Sequence, residues 1–365
     1  MLNPYLYHPL YLIVITVITL YLMQLYLTYP INDRMMNTRS VSISSIILTI
    51  VLILFIGLRP LSPAFVDMMG YNEFFYAFRG RGFTFDWDTD NIIFDNLFSW
   101  WRETFDDPTG FYTTIAAIYF GCMFWACKRL FQEDCFAALI TYLAAFSTFS
   151  YGTNGIKAGA AASIFLLAIA FRDKLWLSLI LVMISWGFHH SMQLCAAAYF
   201  IALFYPRPKF FIIIWFICLF LSFFNITLFK DFFTGLSDET GQNYLSSVGN
   251  EWGGKSGFRF DFVIYSFAPI LMGIYSLFKL EIKSKLYSFI FCIYVLCNSI
   301  WMLCMYVNYT NRIAYLSWFL YPFVLIYPTL NPQWGDSRYR LFAIIMVLHL
   351  SFTLFMTFIY YGTSL

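Results

Sequence analysis

The spacing of its charges is what most limits how this chain can fold. Runs without Asp, Glu, Lys or Arg cover Met1–Asn32, Ser40–Leu58, Pro108–Cys127, Cys135–Ile156, Ala158–Phe171, Leu175–Pro206, Phe210–Phe229, Phe262–Phe278, Leu286–Asn311, Ile313–Gly335 and Leu341–Leu365. A helix that crosses a bilayer needs about 17–25 mostly apolar residues. Backbone in lipid must satisfy its own hydrogen bonds, which here means helices. The run Leu175–Pro206 is too long for one span and is interrupted by Gly187-Phe188-His189-His190. It reads as two short spans meeting at a polar turn. The expected fold is all-α: a polytopic bundle of about twelve transmembrane helices. It forms a single domain over residues 1–365, with longer loops at 59–109 and 225–261.

Composition agrees, with 61% apolar and 12% charged residues where a soluble domain carries roughly 25% charged. A net charge of +2, with no basic stretch interleaved with aromatics, argues against a nucleic-acid partner. The first apolar segment lacks a basic n-region and a small-residue cleavage site, so it reads as an anchor rather than a signal peptide. The eight cysteines lie in or at the edge of apolar runs and make no C-x-x-C spacing, which favours apolar filler over disulfides or zinc.

Lysines and arginines give the orientation. Alternate connections hold Arg34/Arg39, Lys128/Arg129, Arg172/Lys174, Arg207/Lys209, Lys279/Lys283/Lys285 and Arg338/Arg340, and the positive-inside rule makes these cytoplasmic. Both termini then lie outside, as does the 59–109 loop, with nine acids against four arginines. Several cations remain on the outer side. Arg59, Lys157 and Arg312 sit at or just inside span ends; Lys255 and Arg259 belong to the second long loop. Snorkelling accounts for any one of them. Three from separate hairpins on the disfavoured side point instead to a cavity or a partner. No carboxylate lies inside a span, so an anionic ligand is the natural partner.

His189-His190-Ser191 falls on the same face, where a neutral imidazole can donate or accept a proton near neutral pH. Asn154, Gly155 and Gly159 around Lys157 suit a helix start with open backbone N–H groups, which favours phosphate. The small residues there equally suit close helix packing.

The order Gly57-Leu58-Arg59-Pro60, Asp67, Tyr71, then Asn154-Gly155-Ile156-Lys157-Ala158-Gly159, Gly187-Phe188-His189-His190-Ser191 and Asn311-Arg312-Ile313-Ala314-Tyr315 resembles the EpsG-like family of bacterial exopolysaccharide and O-antigen (Wzy-type) polymerases. Lys157 stands where that family usually has Arg. The charge is kept, but the planar fork is lost. The resemblance implies a multi-pass inner-membrane glycosyltransferase that joins polyprenyl-pyrophosphate-linked oligosaccharide repeats on the periplasmic face. It implies membrane lipid as surroundings, and a flippase and a chain-length regulator as pathway partners. On that reading Arg59, Lys157 and Arg312 hold the pyrophosphate, and His189 or Asp67 orients or deprotonates the acceptor hydroxyl. Tyr71, Asn154, His190, Trp101 and Arg259 meet sugar or acceptor. No cofactor is expected, and acids of the 59–109 loop are the candidates for any divalent ion. A lipid-oligosaccharide flippase or other transporter, and a membrane acyltransferase, are the alternative readings.

Overall fold

The uncharged runs fold into helices, and the charged connections end them. The computed structural model describes residues 2–28, 38–237, 257–360 and 362, and of 38–42 and 336 the backbone alone. Arg34, Lys255 and residues 238–256 of the second long loop lie outside the described residues. In chain order the helices are α1 Tyr7–Thr28, α2 Thr38–Gly57, α3 Val66–Ala77, α4 Ile92–Thr104, α5 Thr109–Phe131, α6 Cys135–Leu143, α7 Thr148–Thr153, α8 Ile156–Ala170, α9 Leu175–Phe188, α10 Met192–Phe204, α11 Pro208–Phe223, α12 Lys230–Gly235, α13 Phe260–Ile274, α14 Lys285–Leu303, α15 Thr310–Trp318, α16 Tyr321–Ile326 and α17 Arg338–Leu354. No strand occurs among the described residues.

Five helical stretches are long and apolar enough to cross a membrane, or six if the bent pair Thr310–Trp318 and Tyr321–Leu330 counts as one span. The chain is a multi-pass helical membrane protein. The expected count of about twelve rests on shorter pieces. Ile156–Ala170, Leu175–Phe188, Met192–Phe204 and Pro208–Phe223 are apolar but run only 13–16 residues, whereas α2 runs 20. Thr109–Leu143 counts as one stretch by length, yet Gln132 at φ 47° turns the chain between α5 and α6. The break expected at Gly187–His190 is present: α9 ends at Phe188 and α10 starts at Met192.

The contacts divide the chain into two compact units, Met1–His189 with Asp336–Leu365, and His190–Gly335. In the first unit α5 packs against α2 and α8, α8 against α9, and α1 against α17 and α6. Burying apolar surface gains little between helices in lipid, so close packing and interhelical hydrogen bonds carry the association. Serine and tyrosine hydroxyls supply such bonds: Ser185 Oγ donates to Ala161 O at 2.7 Å and Tyr119 OH to Thr148 O at 3.1 Å. The carbonyls left open where α6 ends accept from Tyr11 OH, at Leu143 O, and from Thr353 Oγ1, at Ala144 O, both at 2.6 Å.

The connections expected inside meet at one end of this unit. Arg129 clamps Asp173 at 2.5 and 2.6 Å and donates to Ala170 O, while Tyr26 donates to Asp134. Tyr26 also packs against Tyr339 and Phe342 at the start of α17. The expected-outside ends meet at the other: Tyr7 stacks on Phe55 at 4.6 Å and meets Phe65 edge-on.

In the second unit α14 is the central helix, and most of its residues are buried. It packs against α10, α11 and α15. Asn298 is its polar centre, accepting from Trp215 Nε1 at 2.7 Å and donating to Ser317 Oγ at 2.9 Å. A buried amide with both ends satisfied fixes one register between helices. Gly273 brings α13 onto α14, because a Cβ there would stand 2.0 Å from the Phe291 ring.

Candidate functional site

In the first unit, the motif residues of α2, α3, α7, α8 and α9 lie at the expected-outside end. Arg59 follows the last turn of α2 and is only 3% exposed. Its Nη1 donates to Ile56 O at 2.7 Å and its Nη2 to Thr153 O at 2.8 Å. The guanidinium lies 5.4 Å from the Phe65 ring and 5.3 Å from Tyr112. Both acceptors sit in the last turns of helices, α2 and α7, where the dipole is negative and a cation is favourable. Arg59 therefore serves as a clamp that joins two helix C-termini. Expected as a direct pyrophosphate ligand, it is found with both Nη groups on backbone carbonyls.

Thr153, held by Arg59, is followed by Asn154 and Gly155 and then by α8. Asn154 Oδ1 is buried and makes no hydrogen bond, which is costly for an acceptor out of water. Glycine is required twice here. A Cβ on Gly159 would stand 2.3 Å from Tyr151 O, and one on Gly155 would stand 2.8 Å from the Tyr151 ring. Helix α8 starts at Ile156 with no side chain capping it. Its second residue is Lys157, a cation in a first turn, where the macrodipole disfavours positive charge.

No carboxylate is expected inside a span, and the one that reaches Lys157 comes from the 59–109 loop. Asp95 of α4, in the 59–109 loop, lies 4.0 Å from Lys157 Nζ through Oδ1. Its Oδ2 accepts from Thr89 Oγ1 at 2.5 Å and from Asn91 Nδ2 at 3.3 Å. The loop thus folds its own helix over the start of α8. Phe94, 1% exposed, is the centre of this cover. Its ring lies 5.7 Å from Lys157 Nζ, 5.9 Å from Tyr71, 6.4 Å from Phe188 and 5.4 Å from Phe111. Gly187 lets α9 approach α4, since a Cβ there would meet Ile93 at 2.6 Å.

Lys157, Tyr71 and the Gly187-Phe188 segment, distant in sequence, thus converge on Phe94 and Asp95. His189 directly follows Phe188; it is half-buried and ends α9 with its N–H donating to Ser185 O at 3.2 Å. Asp67, half-buried, lies in the first turn of α3, one turn before Tyr71. Trp101 is spoken for. Phe105 covers its ring at 4.4 Å, Trp100 and Phe111 meet it edge-on, and it also touches Gly110 and donates to Asp107 O. Trp87 is the open indole of the loop, 76% exposed beside Phe85. Sequence reasoning missed Phe94 and Asp95. The signal was present as one acid among nine next to an aromatic, with nothing to single it out.

In the second unit Arg312 lies in the first turn of α15. Tyr309 precedes that helix in the left-handed region at φ 52°, with no side chain capping it. Arg312 is exposed, with its guanidinium 5.0 Å from the Tyr309 ring. The helix start is fixed from below, as Thr310 Oγ1 accepts from Trp301 Nε1 at 2.9 Å and donates to Cys304 O at 3.1 Å. His190 Nε2 lies 2.9 Å from Gln193 Nε2, whose amide also donates to Leu236 O. Arg259, expected at the sugar, is instead neutralised by Asp261 at 2.9 and 2.6 Å and lies 3.6 Å from the Phe262 ring. It serves the start of α13.

Each unit therefore presents a cation in the first turn of a helix that no side chain caps. Cation and backbone N–H groups together suit a phosphate-bearing anion. Among the described residues no group of three or more His, Cys, Asp or Glu side chains is arranged to hold a metal ion. No curated protein and no solved structure matches the chain. The model of the EpsG family matches residues 42–364, a stretch that contains Arg59, Lys157, His189 and Arg312. The chain belongs to the EpsG family and is a multi-pass membrane protein of polysaccharide biosynthesis.

Proposed function

We propose that the protein is a polysaccharide polymerase that joins lipid-pyrophosphate-linked oligosaccharide repeats on the periplasmic face of the inner membrane. The observation that carries this reading is the pair of uncapped helix starts bearing Lys157 and Arg312. When a sugar leaves its lipid pyrophosphate, negative charge develops on phosphate oxygens, and preorganised cations stabilise it. Lys157 supplies a point charge under the cover of α4; Arg312 supplies a planar fork suited to phosphate oxygens. Arg59 positions, since it holds the Thr153 carbonyl just ahead of α8.

His189 is the proposed base or orienting group for the acceptor hydroxyl, with Asp67 as second candidate. The unbonded Asn154 Oδ1 is suited to accept from a sugar hydroxyl. Trp87 takes over from Trp101 the role of stacking platform, because it is the more exposed indole. The donor is a polyprenyl-pyrophosphate-linked chain and the acceptor a second lipid-linked repeat. A flippase and a chain-length regulator complete the pathway.

The test is genetic. Lys157→Ala, Arg312→Ala and His189→Ala proteins, matched for membrane level, should each abolish the long-polymer ladder while single lipid-linked repeats collect on the outer leaflet. Long polymer from all three variants would sink the assignment. Repeats stranded on the inner leaflet would make the protein a flippase.

A further inference from the structure

The proposal concerns what Asp95 does to Lys157, and it rests on the pyrophosphate reading above. Lys157 is mostly covered, with 18% of its side chain exposed, and Asp95 is more open at 35%. The two oxygens of Asp95 have different tasks. Oδ2 is held within the loop by Thr89 and Asn91. Oδ1 faces the ammonium at 4.0 Å, well outside the about 2.7–2.9 Å of a tight charge-assisted hydrogen bond. The carboxylate is close enough to compensate the cation and too far to lock it. Its placement comes from α4, which is seated by Ile93 on Gly187 and by Phe94 on Phe188. Asp95 also lies in the first turn of α4, where the dipole favours an acid.

A second role, as base for the acceptor hydroxyl, fits worse. In an in-line displacement the attacking hydroxyl lies across the anomeric carbon from the leaving group. Asp95 instead stands against the cation assigned to the leaving pyrophosphate.

We propose that Asp95 is a positioning residue: a built-in counter-ion that holds Lys157 in place until a pyrophosphate takes over the ammonium. The carboxylate and the ligand compete for one charge. Asp95 therefore weakens ground-state binding while keeping the ammonium aimed at the site. Removing only its charge should tighten pyrophosphate binding, whereas loss of a merely structural contact would loosen it.

The experiment titrates the full-length protein in lipid nanodiscs with a short-chain isoprenyl pyrophosphate and, separately, with inorganic pyrophosphate. Asp95→Asn should bind both about tenfold more tightly than wild type, and Asp95→Glu should bind as wild type does. Lys157→Gln should lose affinity, and adding Asp95→Asn to it should change nothing further. Tighter binding of the isoprenyl form alone would assign the competition to lipid-borne pyrophosphate. An equal gain for both probes would assign it to the pyrophosphate group itself, and either gain supports the counter-ion. Wild-type binding that Asp95→Asn leaves unchanged or weakens overturns the counter-ion and spares the polymerase reading. No binding of either probe by wild type overturns both.

Discussion

The helix starts of α8 and α15 solve one problem in two ways. Both place a cation where the macrodipole opposes it, and neither has a capping side chain. At α8 the cation is covered: a loop helix lies over it, a carboxylate faces it at 4.0 Å and an aromatic ring backs it. At α15 the cation is exposed, with the Tyr309 ring 5.0 Å from its guanidinium. A covered charge is dear to desolvate and little screened, so it needs a counter-ion of its own. An exposed one keeps much of its hydration and is screened by salt. The contrast is one of environment: Lys157 sits where water is largely excluded, and Arg312 where it is not.

Substitutions can break or sharpen this contrast. The largest effect is on turnover. Lys157→Ala and Arg312→Ala should each lower polymer formation by about 10²–10³-fold, measured as polymer formed per unit of membrane protein. Their residual activities should differ in salt response. With Lys157 gone, what remains depends on exposed Arg312 and should fall steeply as salt rises, since the Debye length shrinks from about 10 Å at 0.1 M to about 3 Å at 1 M. With Arg312 gone, the covered Lys157 should be nearly indifferent to salt. Equal salt slopes would erase the distinction.

The next effect is on stability. Arg59→Ala leaves the Ile56 and Thr153 carbonyls without their charged donor and should cost about 2–4 kcal/mol, read as a lowered Tm in detergent. Arg312→Ala should stay within about 0.5 kcal/mol. Gly159→Ala should cost about 1–3 kcal/mol by pushing α8 off Tyr151, in the same assay.

The smallest effect is on the cover itself. Glu103 accepts from Gly80 N and Gly82 N at 3.1 Å and from Arg102 Nε at 3.0 Å. Both glycines have φ near +80°, which only glycine adopts readily. Desolvation raises the Glu103 pKa, but the bonds to Arg102, Gly82 and Gly80 outweigh it and hold the carboxyl below its ordinary 4.5. A depressed folded value means the contribution is present above the unfolded value and is lost as pH falls through the folded one. Fluorescence of Trp100 and Trp101 should therefore report loosening of the cover only below about pH 4.5. In Glu103→Gln that transition should vanish.

Much of this was legible in the sequence. Charge spacing located the helices, and the pattern of Lys128/Arg129 and Arg172/Lys174 foretold which connections share an end. Arg129 on Asp173 bears that out within the first unit. The break after Phe188 was legible because Gly-Phe-His-His interrupts an apolar run. The partners were not. Arg59 reads as a motif cation, but its guanidinium reaches carbonyls, which carry no side-chain signature. Asp95 pairs with a lysine sixty-two positions away only because α4 folds back over α8, and helix periodicity does not encode that return. The helix ends were less legible, because charge-free length exceeds helix length wherever turns such as Ala144–Ser147 or His189–Ser191 are uncharged.

The central claim is that the protein links repeats rather than moves them. It is tested most directly in proteoliposomes that hold the purified protein and a single lipid-pyrophosphate-linked repeat. Products of two or more repeats are expected, with one lipid pyrophosphate released per linkage, and a yield lowered by about 10²–10³-fold in Lys157→Ala or Arg312→Ala. Transfer of the intact repeat between leaflets with no linkage formed, or full linkage by both variants, would contradict it.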